Sequence, residues 1–534
     1  MEENIINSVM VSELAIRAPA LSALFLFNLI CTLLVVGYCL FRFLQSDYVL
    51  TRLSFCFVAF FCVFYQIPLV LFSQQVEVSL RQPWTYALVV NAGALLLVIW
   101  GFLSRRLDFN HGVASYPAGQ VRIYLATFAL GVICLVVYLA RVPWSCTGLF
   151  ALLYDPWLTL LAREFSVKLI GSALSSYLLG AYANAVAPIV ILLSVWLIRN
   201  SLLRRQPLGF IVGILGGFFA ISALLISGTK GLLMPSILML VAGCYFWCTT
   251  WWSRAVTILL AVAFVVVALV SFEMMKERGA VVGGSYDFAA CSVEAKTCQE
   301  SHMLLESMKA RDYSLGLPGR FVQPLQDRLG CLCGGSDKAA CPSSVLTDTR
   351  NFVLDNTSFV LDNTSIGVQH RSLSYVRAIF NRVFVVPFQV SVWSFMYAET
   401  EQVEGFKTLP LVRRIFGESL NMPELVYQKY GSVYSGGDKT STSTAPTSFF
   451  LAYPAYLGLS GFLLALGLVI VLDLFLARFA EFAGVSLVPM LVGGIFIMCM
   501  NFMTSDFITV LSSHGGAAGV FVLFVHSLLL KRNS

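Results

Sequence analysis

Residues 208–227 read LGFIVGILGGFFAISALLIS, twenty consecutive positions without a charge. A helix rises about 1.5 Å per residue, so this run is long enough to cross the ~30 Å hydrocarbon core of a bilayer. The whole chain repeats the message. Of its 534 residues, 58% are hydrophobic and 12% charged, and the mean hydropathy is +0.80. A soluble domain carries roughly 25% charged residues. A deficit this large means that most side chains face apolar surroundings on every side. The expected fold is therefore all-α, a polytopic helical membrane protein of about 11–12 spans. A β-barrel would instead show short alternating strands.

Comparable runs lie at 20–43, 53–73, 85–103, 121–140, 180–198, 232–251 and 255–272, and then at 448–476, 486–504 and 516–530. Between these groups stands a long polar insert, 273–447. The expected organisation is an N-terminal membrane domain (1–272), the insert, and a C-terminal membrane domain of three spans (448–534). The stretch 379–398, IFNRVFVVPFQVSVWSFMYA, is apolar but interrupted by Arg382 and Pro387. It is expected to be re-entrant or interfacial, because both ends of the insert fall on one side of the membrane. Residues 1–19 begin with Glu2 and Glu3 and lack a basic leader, so no cleaved signal peptide is expected.

Basic residues set the orientation. Alternate short loops hold Arg42, Arg52, Arg105, Arg106, Arg122, Arg199, Arg204, Arg205 and Arg254, and these should be cytoplasmic. The other loops, with the insert, should be external. The net charge of +6 fits such flanking cations and gives no reason to expect nucleic acid as a partner.

Fourteen cysteines divide by position. Nine lie in or near spans and read as small buried hydrophobes. Five lie in the insert: Cys291, Cys298, Cys331, Cys333 and Cys341. Their external placement suggests disulfides, and their spacing is not that of a metal site.

Candidate chemistry clusters where the insert meets the spans. Arg371, Arg377 and Arg382 precede the apolar stretch, and a guanidinium fork suits phosphate. Arg382 is the sharpest, since a charge inside an apolar run is costly. Lys230 sits in a tight Ser227-Gly-Thr-Lys-Gly231 hairpin between two spans. His370 and His514 titrate near neutrality and could shuttle a proton. Glu399, Glu401 and Glu404 follow the apolar stretch, and one could act as a general base. The alternatives are ordinary: lipid-facing arginines, a snorkelling lysine, solvated histidines and a solvated acidic turn. No phosphate-binding loop, zinc-protease helix or nucleophile elbow is present, which argues against ATP-driven transport and zinc proteolysis.

The layout resembles the bacterial O-antigen polymerase (Wzy-type) and O-antigen ligase superfamily. The resemblance rests on the late external insert, on Ile226-Ser-Gly-Thr-Lys-Gly-Leu-Leu233, and on Ala445-Pro-Thr-Ser448 leading into Tyr456-Leu-Gly-Leu-Ser-Gly461. A lysine stands at 230 where the family usually has arginine; it keeps the charge but loses the fork. The resemblance implies a GT-C-like glycosyltransferase on the periplasmic face of a bacterial inner membrane. It would polymerise undecaprenyl-pyrophosphate-linked oligosaccharide repeat units without metal or other cofactor. Lys230, Arg371, Arg377 and Arg382 would bind the pyrophosphate, and His370 or Glu399 would assist the acceptor hydroxyl. A chain-length regulator would be a partner. The alternatives are a ligase of finished glycan, or a transporter or flippase of lipid-linked sugars.

Overall fold

The computed structural model describes residues 22–104, 120–154, 173–226, 233–247, six positions from 250 to 259, 385–401, 422–431, 447–484, 487–512 and 514–531. The described residues are helical, and no strand occurs among them. Backbone polar groups cannot reach water inside a bilayer, so helices that bond internally are what apolar runs of this length must form.

Six described helices are long and apolar enough to cross a membrane. They are α1 (Ala23–Gln45), α2 (Leu53–Leu71), α3 (Pro83–Leu103), α5 (Tyr177–Leu202), α6 (Pro207–Leu225) and α9 (Phe449–Ala483). Four shorter apolar helices join them: α4 (Gln120–Leu139), α7 (Leu233–Trp247), α10 (Val488–Phe502) and α12 (Gly516–Lys531). Two further helices, α8 (Val386–Thr400) and α11 (Phe507–Ser512), matter for the site. The chain is a multi-pass membrane protein by this architecture.

Helix starts follow ordinary rules. Pro83 and Pro207 open α3 and α6, where a missing N–H costs nothing. The Ser22 hydroxyl accepts from the Phe25 amide and caps α1. Outward faces remain apolar, as lipid contact demands: Leu33 and Leu34 on α1, Leu215 and Phe218 on α6 are all exposed. Close helix contacts use small residues. On α6, a Cβ at Gly213 would lie 3.1 Å from the Ser194 carbonyl oxygen of α5.

The two ends of the bundle can be told apart by charge. At the basic end lie Arg42, Arg52, Arg204, Arg205 and Arg254. There the Phe43 and Tyr245 rings pack 6.0 Å apart, and Arg254 covers the Tyr245 ring at 4.5 Å. At the far end the Leu149 amide donates to the Ile226 carbonyl. Cys146 sits there too, fully buried and in a disulfide. This corrects its reading as one more buried thiol. Cys31, Cys39, Cys56, Cys62, Cys134, Cys244 and Cys499 are free. The five cysteines of the insert lie outside the described residues.

The largest departure from a simple set of spans is in α9. Residues 448–476 were expected to cross once. Instead the helix is broken at Gly458, with φ 59° and ψ −136°. That region of backbone space is open to glycine and strained for other residues. The two limbs fold back on each other: the rings of Phe450 and Phe462 lie 6.4 Å apart. A Cβ at Gly461 would come within 2.1 Å of the Tyr453 carbonyl oxygen. The first limb begins deep in the protein. Ser448, fully buried, caps it through its hydroxyl on the Phe450 amide. Phe449 and Phe450 enter an aromatic cluster with Phe57, Phe61, Phe502 and Phe507, in which Phe502 and Phe507 stack at 5.5 Å and 8°. Burying that much aromatic surface fixes the short limb in place.

Helix α8 covers the predicted stretch 379–398 from Val386 onward. Phe388 packs on Phe72 and Tyr86, the Ser391 hydroxyl bonds the Tyr86 hydroxyl at 2.6 Å, and Phe395 meets the Tyr86 ring edge-on at 4.9 Å. Phe72 follows α2 and Tyr86 lies in the first turn of α3, so both ends of α8 touch the far end of the bundle.

Candidate functional site

Three interruptions of apolar helices meet near the far end. One is the break at Gly458. The second is Met503–Asp506, between α10 and α11. The third precedes α12, where Gly515 has φ 73°.

The second interruption carries the chemistry. Tyr453, in the first limb of α9, donates its hydroxyl to Asp506 Oδ2 at 2.7 Å. Asp506 Oδ1 accepts from the Ile508 amide at 2.9 Å and so caps α11. The Ser505 hydroxyl pairs with His514 Nε2 at 3.1 Å, and the His514 amide donates to the Thr509 carbonyl at 3.0 Å. Ser505, Asp506 and His514 are half-buried, so a ligand can reach them. Tyr65 backs the cluster: its hydroxyl donates to the Met503 carbonyl and accepts from the Ser448 amide at 3.3 Å. Burial lowers the His514 pKa from its ordinary 6.5. Its imidazole is therefore neutral at pH 7 and able to accept a proton.

His514 also borders a narrow apolar cavity of about 30 Å³. Asn184, His514 and Gly515 line it together with Met239, Leu476 and Met490. Glycine is required at 515 on two grounds. Its φ is positive, and a Cβ there would lie 2.9 Å from Ala181 Cα. Asn184 sits in a π-turn of α5 and ties its amide to the Gly180 carbonyl at 3.0 Å.

Of the six residues to which the resemblance assigns a role, Glu399 alone lies among the described residues. Glu399 lies in the last turn of α8, and both carboxylate oxygens accept backbone donors: Oε2 from Arg81 at 2.9 Å and Oε1 from Gln82 at 3.0 Å. These amides precede Pro83 at the start of α3. A carboxylate against a helix start is stabilised by the helix dipole. Glu399 therefore docks α8 onto α3, a positioning role that leaves its oxygens occupied. Glu401 pairs with Lys429, and the ammonium also reaches the Thr400 hydroxyl at 3.0 Å. Lys230, His370, Arg371, Arg377 and Arg382 lie outside the described residues.

Asp506, Tyr453 and Ser505 were not singled out from sequence. A signal existed for the first: Thr504-Ser505-Asp506 before Phe507 is a helix-start pattern inside an apolar region. Tyr453 had none, since nothing local links it to a residue 53 positions away. His514 was weighed as a proton shuttle against a solvated loop histidine; it is half-buried and bonded to Ser505.

The opposite end holds a second polar centre. Asp473 is fully buried and takes three donors: Arg52 Nη2 at 2.5 Å and Trp100 Nε1 at 2.9 Å on Oδ2, and the Ser54 amide at 3.0 Å on Oδ1. It thereby caps α2 from another helix and joins α2, α3 and α9. A carboxylate satisfied in this way is a structural tie.

No protein-family model matches the chain, and no curated protein or solved structure is significantly similar to it.

Proposed function

We propose that the chain is a metal-independent glycosyltransferase of the bacterial inner membrane that polymerises lipid-pyrophosphate-linked oligosaccharide repeat units on the periplasmic face. The observation that carries this reading is the half-buried cluster of Ser505, Asp506 and His514 at the far end, set among interruptions of apolar helices. In the reaction, an acceptor sugar hydroxyl attacks the anomeric carbon of a second, lipid-linked glycan. The carbon–oxygen bond to the pyrophosphate breaks, and the hydroxyl proton passes to a base. Asp506 is the better base than Glu399, because Oδ2 has only the Tyr453 hydroxyl on it while both Glu399 oxygens hold backbone amides. The leaving pyrophosphate needs cations. Lys230 follows Ile226 closely in sequence, and Arg371, Arg377 and Arg382 precede α8, so all four are assigned that role. The fold is assigned as GT-C-like, with 273–447 as a periplasmic insert.

The broken helices favour a second reading, a transporter or flippase of lipid-linked sugars. Transporters bind substrate at discontinuous helices. A ligase of finished glycan would use the same groups as the polymerase.

The test uses purified protein in nanodiscs with lipid-pyrophosphate-linked repeat units. A gel ladder of longer lipid-linked glycans is expected from wild type, and its loss in Asp506→Asn and in Arg382→Ala variants that melt normally. No ladder from folded wild type, with substrate verified by mass, overturns the polymerase. Movement of labelled substrate across the nanodisc-equivalent vesicle membrane, with no ladder, selects the flippase.

A further inference from the structure

A third polar centre lies between α1, α2 and α3, away from the groups used above. Three carboxamides are fully buried there: Asn28, Gln66 and Asn91. Gln66 Nε2 donates to Asn91 Oδ1 at 3.1 Å, and Asn91 Nδ2 donates to Asn28 Oδ1 at 2.7 Å. Asn91 Nδ2 also donates to the Ala87 carbonyl at 3.0 Å. That last bond fixes the polarity of the chain. A carbonyl accepts only, so the Asn91 nitrogen must face Ala87, and its oxygen must face Gln66. Gln66 then turns its nitrogen to Asn91 and keeps its oxygen over. Asn28 turns its oxygen to Asn91 and keeps its nitrogen over. Gln66 Oε1 and Asn28 Nδ2 have no protein partner.

The two loose ends are of opposite kind. One can only accept and the other can only donate. A cation would be repelled by the Asn28 amide hydrogens, and an anion by the Gln66 oxygen. A single ligand shared by both ends must be neutral and must both donate and accept. Thr32 supplies a third group: its Oγ1 is buried and also without a protein partner. It lies four residues after Asn28, one helical turn along the same face. Buried waters typically make about three hydrogen bonds to such groups.

We propose that Gln66 Oε1, Asn28 Nδ2 and the Thr32 hydroxyl hold one ordered water molecule inside the membrane domain. The water would fix the π-turn Cys62–Gln66 of α2 against α1. That turn also carries Tyr65, whose hydroxyl supports Met503 and Ser448 behind the far-end site.

Thr32→Val gives the sharpest test, because it removes only a hydroxyl that touches no protein group. If the hydroxyl is merely buried and unbonded, its replacement by a methyl leaves the melting midpoint unchanged or raises it. If it holds the water, the midpoint falls. A fall is expected, and an unchanged or raised midpoint overturns the proposal. The second measurement is a structure of the full chain in lipid at a resolution that shows waters. A peak within about 2.7–3.2 Å of Gln66 Oε1 and Asn28 Nδ2 is expected. Well-ordered amides without a peak, or a rubidium anomalous signal at that place after a soak, overturn it.

Discussion

The two ends of the bundle treat a carboxylate in opposite ways. At the basic end Asp473 is fully buried, and its oxygens are taken up by a guanidinium, an indole and a backbone amide. At the far end Asp506 is half-buried and has a phenol on one oxygen and an amide on the other. The chain around Asp473 is continuous helix; the chain around Asp506 is broken three times. A tied carboxylate in unbroken helix stiffens the fold. A reachable carboxylate among helix breaks is where substrate chemistry can happen. Substitutions at each end should therefore divide cleanly between stability and activity.

The largest effect is expected at the basic end. Asp473→Ala leaves the Arg52 guanidinium buried without its carboxylate, which costs about 3–5 kcal/mol. Melting in detergent or nanodiscs should show it. The double change Arg52→Met with Asp473→Leu removes both charges and should melt higher than Asp473→Ala alone. If the double variant melts lower than the single, the tie is not electrostatic.

At the far end the expected loss is in rate. Asp506→Asn keeps an oxygen to cap the Ile508 amide and can donate its Nδ2 to the Tyr453 hydroxyl, but it removes the base. Glycan ladder formation should fall by about 10²-fold or more, as general-base catalysis contributes, with a melting midpoint near wild type. Equal loss in melting would place Asp506 with Asp473, as a structural group.

Next in size is the break itself. Gly458→Val forces a β-branched residue to a positive φ, a strain of about 1–3 kcal/mol. Gly467 is the internal control. It lies in the second limb of the same helix, at an ordinary φ, with open space where a Cβ would go. Gly467→Ala should be neutral or slightly stabilising. Both variants read alike in a thermal melt only if the hairpin is absent.

His514 sets a smaller, pH-dependent term. Its folded pKa lies below the ordinary 6.5 because burial disfavours the imidazolium. As pH falls below 6.5 the unfolded chain binds the proton first, so stability is lost there; above 6.5 the term is fully present. His514→Gln should flatten the decline in melting midpoint between pH 7 and pH 5. An unchanged slope would mean that His514 is solvated, as its loop position alone suggests.

These contrasts also show what sequence could carry. The apolar runs are legible because bilayer thickness imposes a length that few other structures need. Ser448, Gly458 and Gly461 were visible as a pattern, and the structure gives each a job: cap, break and close approach. That they make a hairpin was not visible, because one uninterrupted apolar run hides a reversal within it. The Arg52–Asp473 tie spans 421 positions, and no local pattern reports such a pair. Glu399 was noticed for its charge, but the two amides that occupy it lie on another helix.

The smallest effect is expected beyond the basic end, where Arg478 meets Glu481 at 3.1 Å with its side chain 80% exposed. This pair has the same chemistry as Arg52–Asp473, a guanidinium on a carboxylate, and lies on the same helix as Asp473. Only the surroundings differ. Water and salt screen the exposed pair, and two long side chains lose freedom to form it. Arg478→Ala should shift stability by less than about 0.5 kcal/mol, against the several expected for Asp473→Ala. If the two shifts proved similar, burial would not be what gives the inner tie its weight. The division of the molecule into a stiff end and a reactive end would then fail with it.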